Sequence, residues 1–191
     1  MRTRSVAVAA ALALVAAGAC SSSSDGGDEP DPDVTGAPTA AGADVPEVPP
    51  PSPAGTGVIV VGGTRSSFAV TACRLEPDPT QPEGARALVE MDGAGTTGSG
   101  VPFTIEVQRF ATGTDVITYT DTITYSDTGR ILQAQRIEVA GQVTDLRDPK
   151  ASSALLRTRA DGLSAAGLAG GPGDGPEDEG IIGLALDATC S

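Results

Sequence analysis

The stretch DVITYTDTITY, Asp115 to Tyr125, decides the fold class. In an extended chain Ile117, Tyr119, Ile123 and Tyr125 share one face, and Thr118, Thr120, Thr122 and Thr124 share the other. Period-two alternation of β-branched and aromatic residues marks a half-buried strand, whereas a helix needs apolar residues three or four apart. Asp127-Thr128-Gly129 then reads as a turn. Arg130 to Ala140 returns as the next strand, and Gln142 to Leu146 extends it after a break at Gly141.

The same texture spreads outward from this pair. Val101 to Phe110 sets Phe103, Ile105 and Val107 against Glu106 and Gln108. Val58 to Val61 is an apolar β-branched run stopped by Gly62-Gly63. Ser67 to Leu75 places Phe68, Val70 and Ala72 on one face, with Thr71 and Cys73 on the other. Ala85 to Met91 is a further strand before the turn-rich DGAGTTGSG, and Ile181 to Cys190 is the last. Short sequential strands joined by brief turns favour antiparallel pairing, because parallel neighbours need long crossovers. The expectation is a mainly β chain, a small antiparallel sheet or sandwich. Over Ala151 to Ala169, one or two short helices could present Leu155, Leu156, Leu163 and Leu168 to the core, although Gly162 and Gly167 weaken a helix there. Gly170 to Gly180 reads as an acidic loop.

Composition narrows the function. The chain has no His and no Trp, so its core must rest on Val, Ile, Leu and Ala. A net charge of -13 opposes contact with phosphate backbones and with bare anionic lipid, so nucleic acid is an unfavoured partner. Lack of His removes the usual general base and every Ser-His-Asp or Cys-His nucleophile. Gly98-Ser99-Gly100 lacks the nucleophile-elbow spacing, and Val61-Gly62-Gly63-Thr64 is neither a dinucleotide nor a Walker loop. Asp174, Glu177, Asp178 and Glu179 lack EF-hand spacing and read as a solvated acidic run. Glu90 and Glu106 could in principle form a glycosidase pair, but each falls on a strand face that is ordinarily exposed, and the near absence of aromatics argues against a sugar platform. The expectation is therefore no catalytic residue, no metal and no cofactor.

The first residues carry a targeting pattern. Arg2 and Arg4 precede Val6 to Ala17, an uncharged apolar run too short to span a bilayer comfortably but suited to a signal peptide. Ala17-Gly18-Ala19-Cys20 and four serines follow. Small residues before a Cys form a lipobox-like site, with Ala17 where Leu or Val is commoner. The alternatives are an ordinary secretory signal with an incidental Cys, and an uncleaved anchor helix. The organisation expected is a signal peptide over 1–19, a lipidated disordered linker over 20–56 and a β-rich extracytoplasmic domain over 57–191. Ser21 to Gly57 is Pro-rich, with seven acidic residues and no basic one, too poor in apolar surface to offset its ordering entropy. Thr35, Thr39, Ser52 and Thr56 suit O-glycosylation, and an unmodified tether fits the composition equally. With Cys20 lipidated, Cys73 and Cys190 remain as an even pair, expected to form a disulfide outside the cytoplasm.

These features together resemble one known group. The lipobox, the Ser/Thr/Pro/Ala tether, the strand Ala69-Val70-Thr71-Ala72-Cys73, the ending Ala188-Thr189-Cys190-Ser191 and IEVAGQVTDLRDP (Ile137 to Pro149) are similar to the mycobacterial nineteen-kilodalton lipoprotein antigen family. Ala151 to Gly180 is an insertion relative to that pattern. The resemblance implies an actinobacterial surface antigen on the extracytoplasmic face of the cell membrane, palmitate-bearing at Cys20 and glycosylated. It implies contact with envelope or host proteins or glycans and no agreed catalytic activity. A carrier of an envelope lipid or other apolar ligand is the alternative, because a Val/Ile/Leu sheet face could enclose an acyl chain.

Overall fold

The computed structural model describes residues 43–82, 84–145, 154–174 and 180–191. The first 42 residues, with the expected signal, Cys20, Thr35 and Thr39, lie outside the described residues, as do Glu177, Asp178 and Glu179. Among the described residues ten strands form one sheet: β1 (Thr56–Val61), β2 (Thr64–Arg74), β3 (Ala85–Thr96), β4 (Pro102–Thr112), β5 (Thr118–Asp127), β6 (Ile131–Val139), β7 (Gln142–Asp145), β8 (Leu156–Arg159), β9 (Gly162–Ala169) and β10 (Ile182–Thr189). Every pairing is antiparallel, in the order β7-β6-β5-β4-β3-β2-β1-β10-β9-β8.

Chain order dictates this up-and-down path. Val61 pairs with Thr64 across Gly62 and Gly63, whose φ angles of 54° and 80° make a two-residue turn with left-handed central residues. Val139 pairs with Gln142 across Ala140 and Gly141, at φ 49° and 78°, so the break at Gly141 is a second such hairpin. Ala140 adopts a left-handed conformation there despite its Cβ.

The sheet curls until it meets itself. Gln133 of β6 and Gly170, just beyond β9, exchange N–H to C=O hydrogen bonds of 2.7 and 3.2 Å. Further along, β6 pairs with β7 and β9 pairs with β8, so the two strands close the curl at one end only. The concave side is the core: Ile59, Met91, Ile105, Val107, Ile123, Leu163, Leu184 and Leu186 pack there, each at most 1 % exposed. The convex side of the central strands is polar, with Glu106 and Gln108 of β4 exposed. An apolar interior and polar exterior is the reverse of a transmembrane barrel.

Glycine permits the tight curl in a core with few aromatics. A Cβ on Gly57 would lie 2.1 Å from the Phe68 ring, and one on Gly93 2.5 Å from it. Phe68 lies across these bare backbones and takes the volume that their side chains would have filled. Gly95 leaves room for Phe103 in the same way, and Phe103 meets Tyr125 with ring centroids 5.4 Å apart.

Several sequence expectations change here. The region near 151–169 is not helical where it is described: β8 and β9 form a hairpin, with Leu163, Ala165 and Ala169 buried at alternate positions. The same leucines satisfy either period over so short a run, and the free edge of β10 decides for strand. DGAGTTGSG is not all turn, because Asp92 to Thr96 continues β3, with Gly93 and Gly95 under Phe68 and Phe103. In β2 the register shifts between Val70 and Ala72, and this bulge turns Cys73 to the side of Phe68 and Val70 rather than opposite them. The stretch read as linker also behaves differently from Ala43 onward. Asp44 and Pro46 sit over Gly183, Pro49 is buried, and the Ser52 N–H donates to the Asp187 carboxylate at 2.9 Å. Residues 43–55 are a strap over the outer face of β10, which is why β10 is buried on both sides.

Candidate functional site

Cys73 and Cys190 are joined by a disulfide, with Cα atoms 5.8 Å apart across a separation of 117 residues. It ties the end of β10 to β2 past the intervening β1. Closing so long a loop restricts the unfolded chain by about 5 kcal/mol in the loop-entropy account.

A clamp of charge lies beside it on the outer face. Asp187 is 2 % exposed on β10. Arg159 of β8 donates to its two oxygens at 2.6 and 3.2 Å, and also to Thr189 Oγ1, the Ala188 and Leu163 carbonyls and Asp161. The Ser52 N–H completes the carboxylate's partners. One acid thus holds the strap, β8 and β10 together.

A second polar group fills the concave side where β6 and β9 part. Arg109 grips Asp121 through two hydrogen bonds of 2.6 and 2.7 Å and reaches across to the Leu156 carbonyl at 3.1 Å. Asp121, chiefly through its hydrogen bond, holds the Arg109 guanidinium above its ordinary pKa. Arg136 is buried beside them, and a cavity of about 250 Å³ opens between Arg109, Tyr119, Arg136 and Glu138. Every donor here that the structure pairs is spent on the fold, so the group acts as an internal strut.

An opening of about 480 Å³ is the mouth at the closed end of the curl. Ile59, Val61 and Val101 make its apolar base. The β1–β2 hairpin brings Thr64 and Ser66, the β3–β4 turn brings Thr97 and Ser99, and the β5–β6 turn brings Asp127 to Arg130. Thr97 and Ser99 hydroxyls lie 2.9 Å apart, and Thr97 Oγ1 accepts the Val101 N–H. Tyr125 donates its phenol to Asp127 Oδ2, and Arg130 Nε donates to the same oxygen, both at 3.1 Å. The guanidinium also lies 5.7 Å from the Tyr125 ring centre. The Gly129 N–H above all, then Arg130 and Tyr125, hold the Asp127 carboxyl below the usual carboxylate range. Burial first and Asp127 second push the Tyr125 phenol up.

The residues singled out from sequence scatter over this frame. Gly62-Gly63 and Gly98-Ser99-Gly100 are hairpin turns at the rim of the mouth. Glu90 is an ion-pair partner of Arg74, and Glu106 stands opposite Asp92. Asp174 accepts the Gly171 N–H. Among the described residues no group of His, Cys, Asp and Glu could hold a metal ion. Sequence reasoning missed Asp121, Arg136, Arg159 and Asp187. The available signal was a charge at an inward or apolar register position: Asp121 shares the period of Ile123, and Asp187 interrupts IIGLALDA.

No family model matches the chain, and neither any curated protein nor any solved structure matches it.

Proposed function

We propose that this chain is an exported, lipid-anchored actinobacterial surface protein, carrying a non-catalytic domain that contacts envelope or host molecules. The observation that carries the reading is the head of the sequence: Arg2 and Arg4, the apolar run to Ala17, then Gly18-Ala19-Cys20 and four serines. The Cys73–Cys190 disulfide supports an oxidising compartment, where such bonds persist. The similarity to the nineteen-kilodalton lipoprotein antigens supports the same class, with acylation at Cys20 and glycosylation of the tether as parts of the proposal.

The strap adds a geometric consequence. It runs beside β10 from Asp44 over Gly183 to Ser52 at Asp187, then reverses into β1. The strap thus begins, at Asp44, beside the sheet end that carries the Gly62-Gly63 hairpin.

The alternative of a carrier for an acyl chain is less well supported. The concave face is occupied by its own side chains, from Ile59 to Leu186, and the open mouth is ringed with polar groups. Cys20→Ala is the test. The unaltered chain should incorporate a palmitate probe and partition with membranes, and the variant should do neither. Unchanged membrane retention of the variant would refute the anchor.

A further inference from the structure

The geometry points to a binding site for a neutral saccharide in the mouth formed by Thr64, Ser66, Thr97 and Ser99 above Ile59 and Val61. Its volume, about 480 Å³, falls within the range of small-molecule sites, roughly 300–1,000 Å³. Its chemistry selects among ligands. A hydroxyl both donates and accepts, so a rim of Ser and Thr complements a ligand that is itself built of hydroxyls. Among the described residues, Thr64, Ser66 and Thr128 hydroxyls have no protein hydrogen-bond partner, which leaves them available. The base beneath the rim is closed, with Ile59 and Val61 buried, so half-buried Val101 is the apolar side chain a ligand could touch and the rim hydroxyls carry the selection.

Other ligand classes fit less well. An anion would need an uncommitted cation, and the mouth's Arg130 is held by Asp127 and the Tyr125 ring. A net charge of -13 opposes anions further. An acyl chain would need depth, but Ile59 at 0 % and Tyr125 at 3 % exposure close the base over a filled interior.

The test uses the full chain carrying Cys20→Ser, oxidised at Cys73 and Cys190, so that the result does not depend on lipid at residue 20. Saturation-transfer NMR is recorded with a panel of neutral monosaccharides and their disaccharides. Inorganic phosphate serves as the charged comparator. Transfer to C–H protons of at least one sugar is expected, with none of the sugar signal displaced by phosphate. Thr64→Val and Ser66→Ala should each weaken it roughly two- to tenfold, the range for one lost hydrogen bond. Both variants are first checked for an unchanged unfolding midpoint. Vesicles bearing a glycolipid with the same head group, against phosphatidylcholine alone, separate a membrane-borne sugar from a free one. The proposal is overturned if no sugar in the panel shows transfer, if phosphate displaces it, or if both variants bind as tightly as the parent.

Discussion

Replacing Arg159 by Met removes a cation while keeping most of the side-chain volume, and the structure sets the size of the effect. Asp187, 2 % exposed, would keep only the Ser52 N–H of its three donors. Thr189 Oγ1 and the Ala188 and Leu163 carbonyls would lose a donor as well. Removing one partner of a buried pair leaves an uncompensated charge and costs about 3–5 kcal/mol. With a urea slope of about 2 kcal/mol/M, the midpoint should fall by about 1.5–2.5 M. The strap should loosen too, and limited proteolysis should cut between residues 43 and 53 sooner than in the parent. Changing Asp187 to Leu in the same variant should recover much of the loss, because the stranded charge is then gone. The double variant should therefore be far from additive. A loss below about 1 kcal/mol, the range of an exposed ion pair, would refute the reasoning. So would a double variant that loses the sum of the two single effects.

Four further outcomes follow from the geometry. Reducing the Cys73–Cys190 bond should destabilise the domain by up to about 5 kcal/mol, while the denatured but unreduced domain should give no signal in a free-thiol assay. Gly57→Ala should cost at least 1–3 kcal/mol by roughly the overpacking scale, because its Cβ would fall 2.1 Å from the Phe68 ring; Phe68→Leu in the same chain should return part of this in urea unfolding. The depressed Asp127 carboxyl contributes stability that is present above its ordinary value of 3.8 and lost as pH falls through its folded value, so Asp127→Asn should flatten the acid limb of the urea midpoint. In an absorbance titration the Tyr125 phenol, raised by burial, should ionise above 10.0, and the stability it contributes should be lost as pH rises through that point.

The period-two pattern of β4, β5 and β6 made the class of the fold legible, since alternation along a strand is a local property of the chain. The even cysteine pair was legible for a chemical reason, independent of the fold. Locally ambiguous segments were not. Leu155 to Leu168 could be helix or strand until the unpaired edge of β10 claimed them, and Asp92 to Thr96 looked like a turn because its glycines serve packing against Phe68 and Phe103. The candidate mouth was unreadable for the same reason. Its hydroxyls come from three separate turns, and each is an ordinary loop residue until the sheet curls and Gln133 meets Gly170.

The sequence by itself determined a mainly β chain, an acidic and His-free surface chemistry, and a targeting pattern ending at Cys20. Only the tertiary structure decided that the sheet closes on itself, that residues 43–55 lie over β10, and that the bulge at Thr71 turns Cys73 toward Cys190. The division has a physical cause. Alternation, charge and turn propensity are written within a few neighbouring residues, whereas curl, register shift and closure depend on contacts between strands distant in the chain.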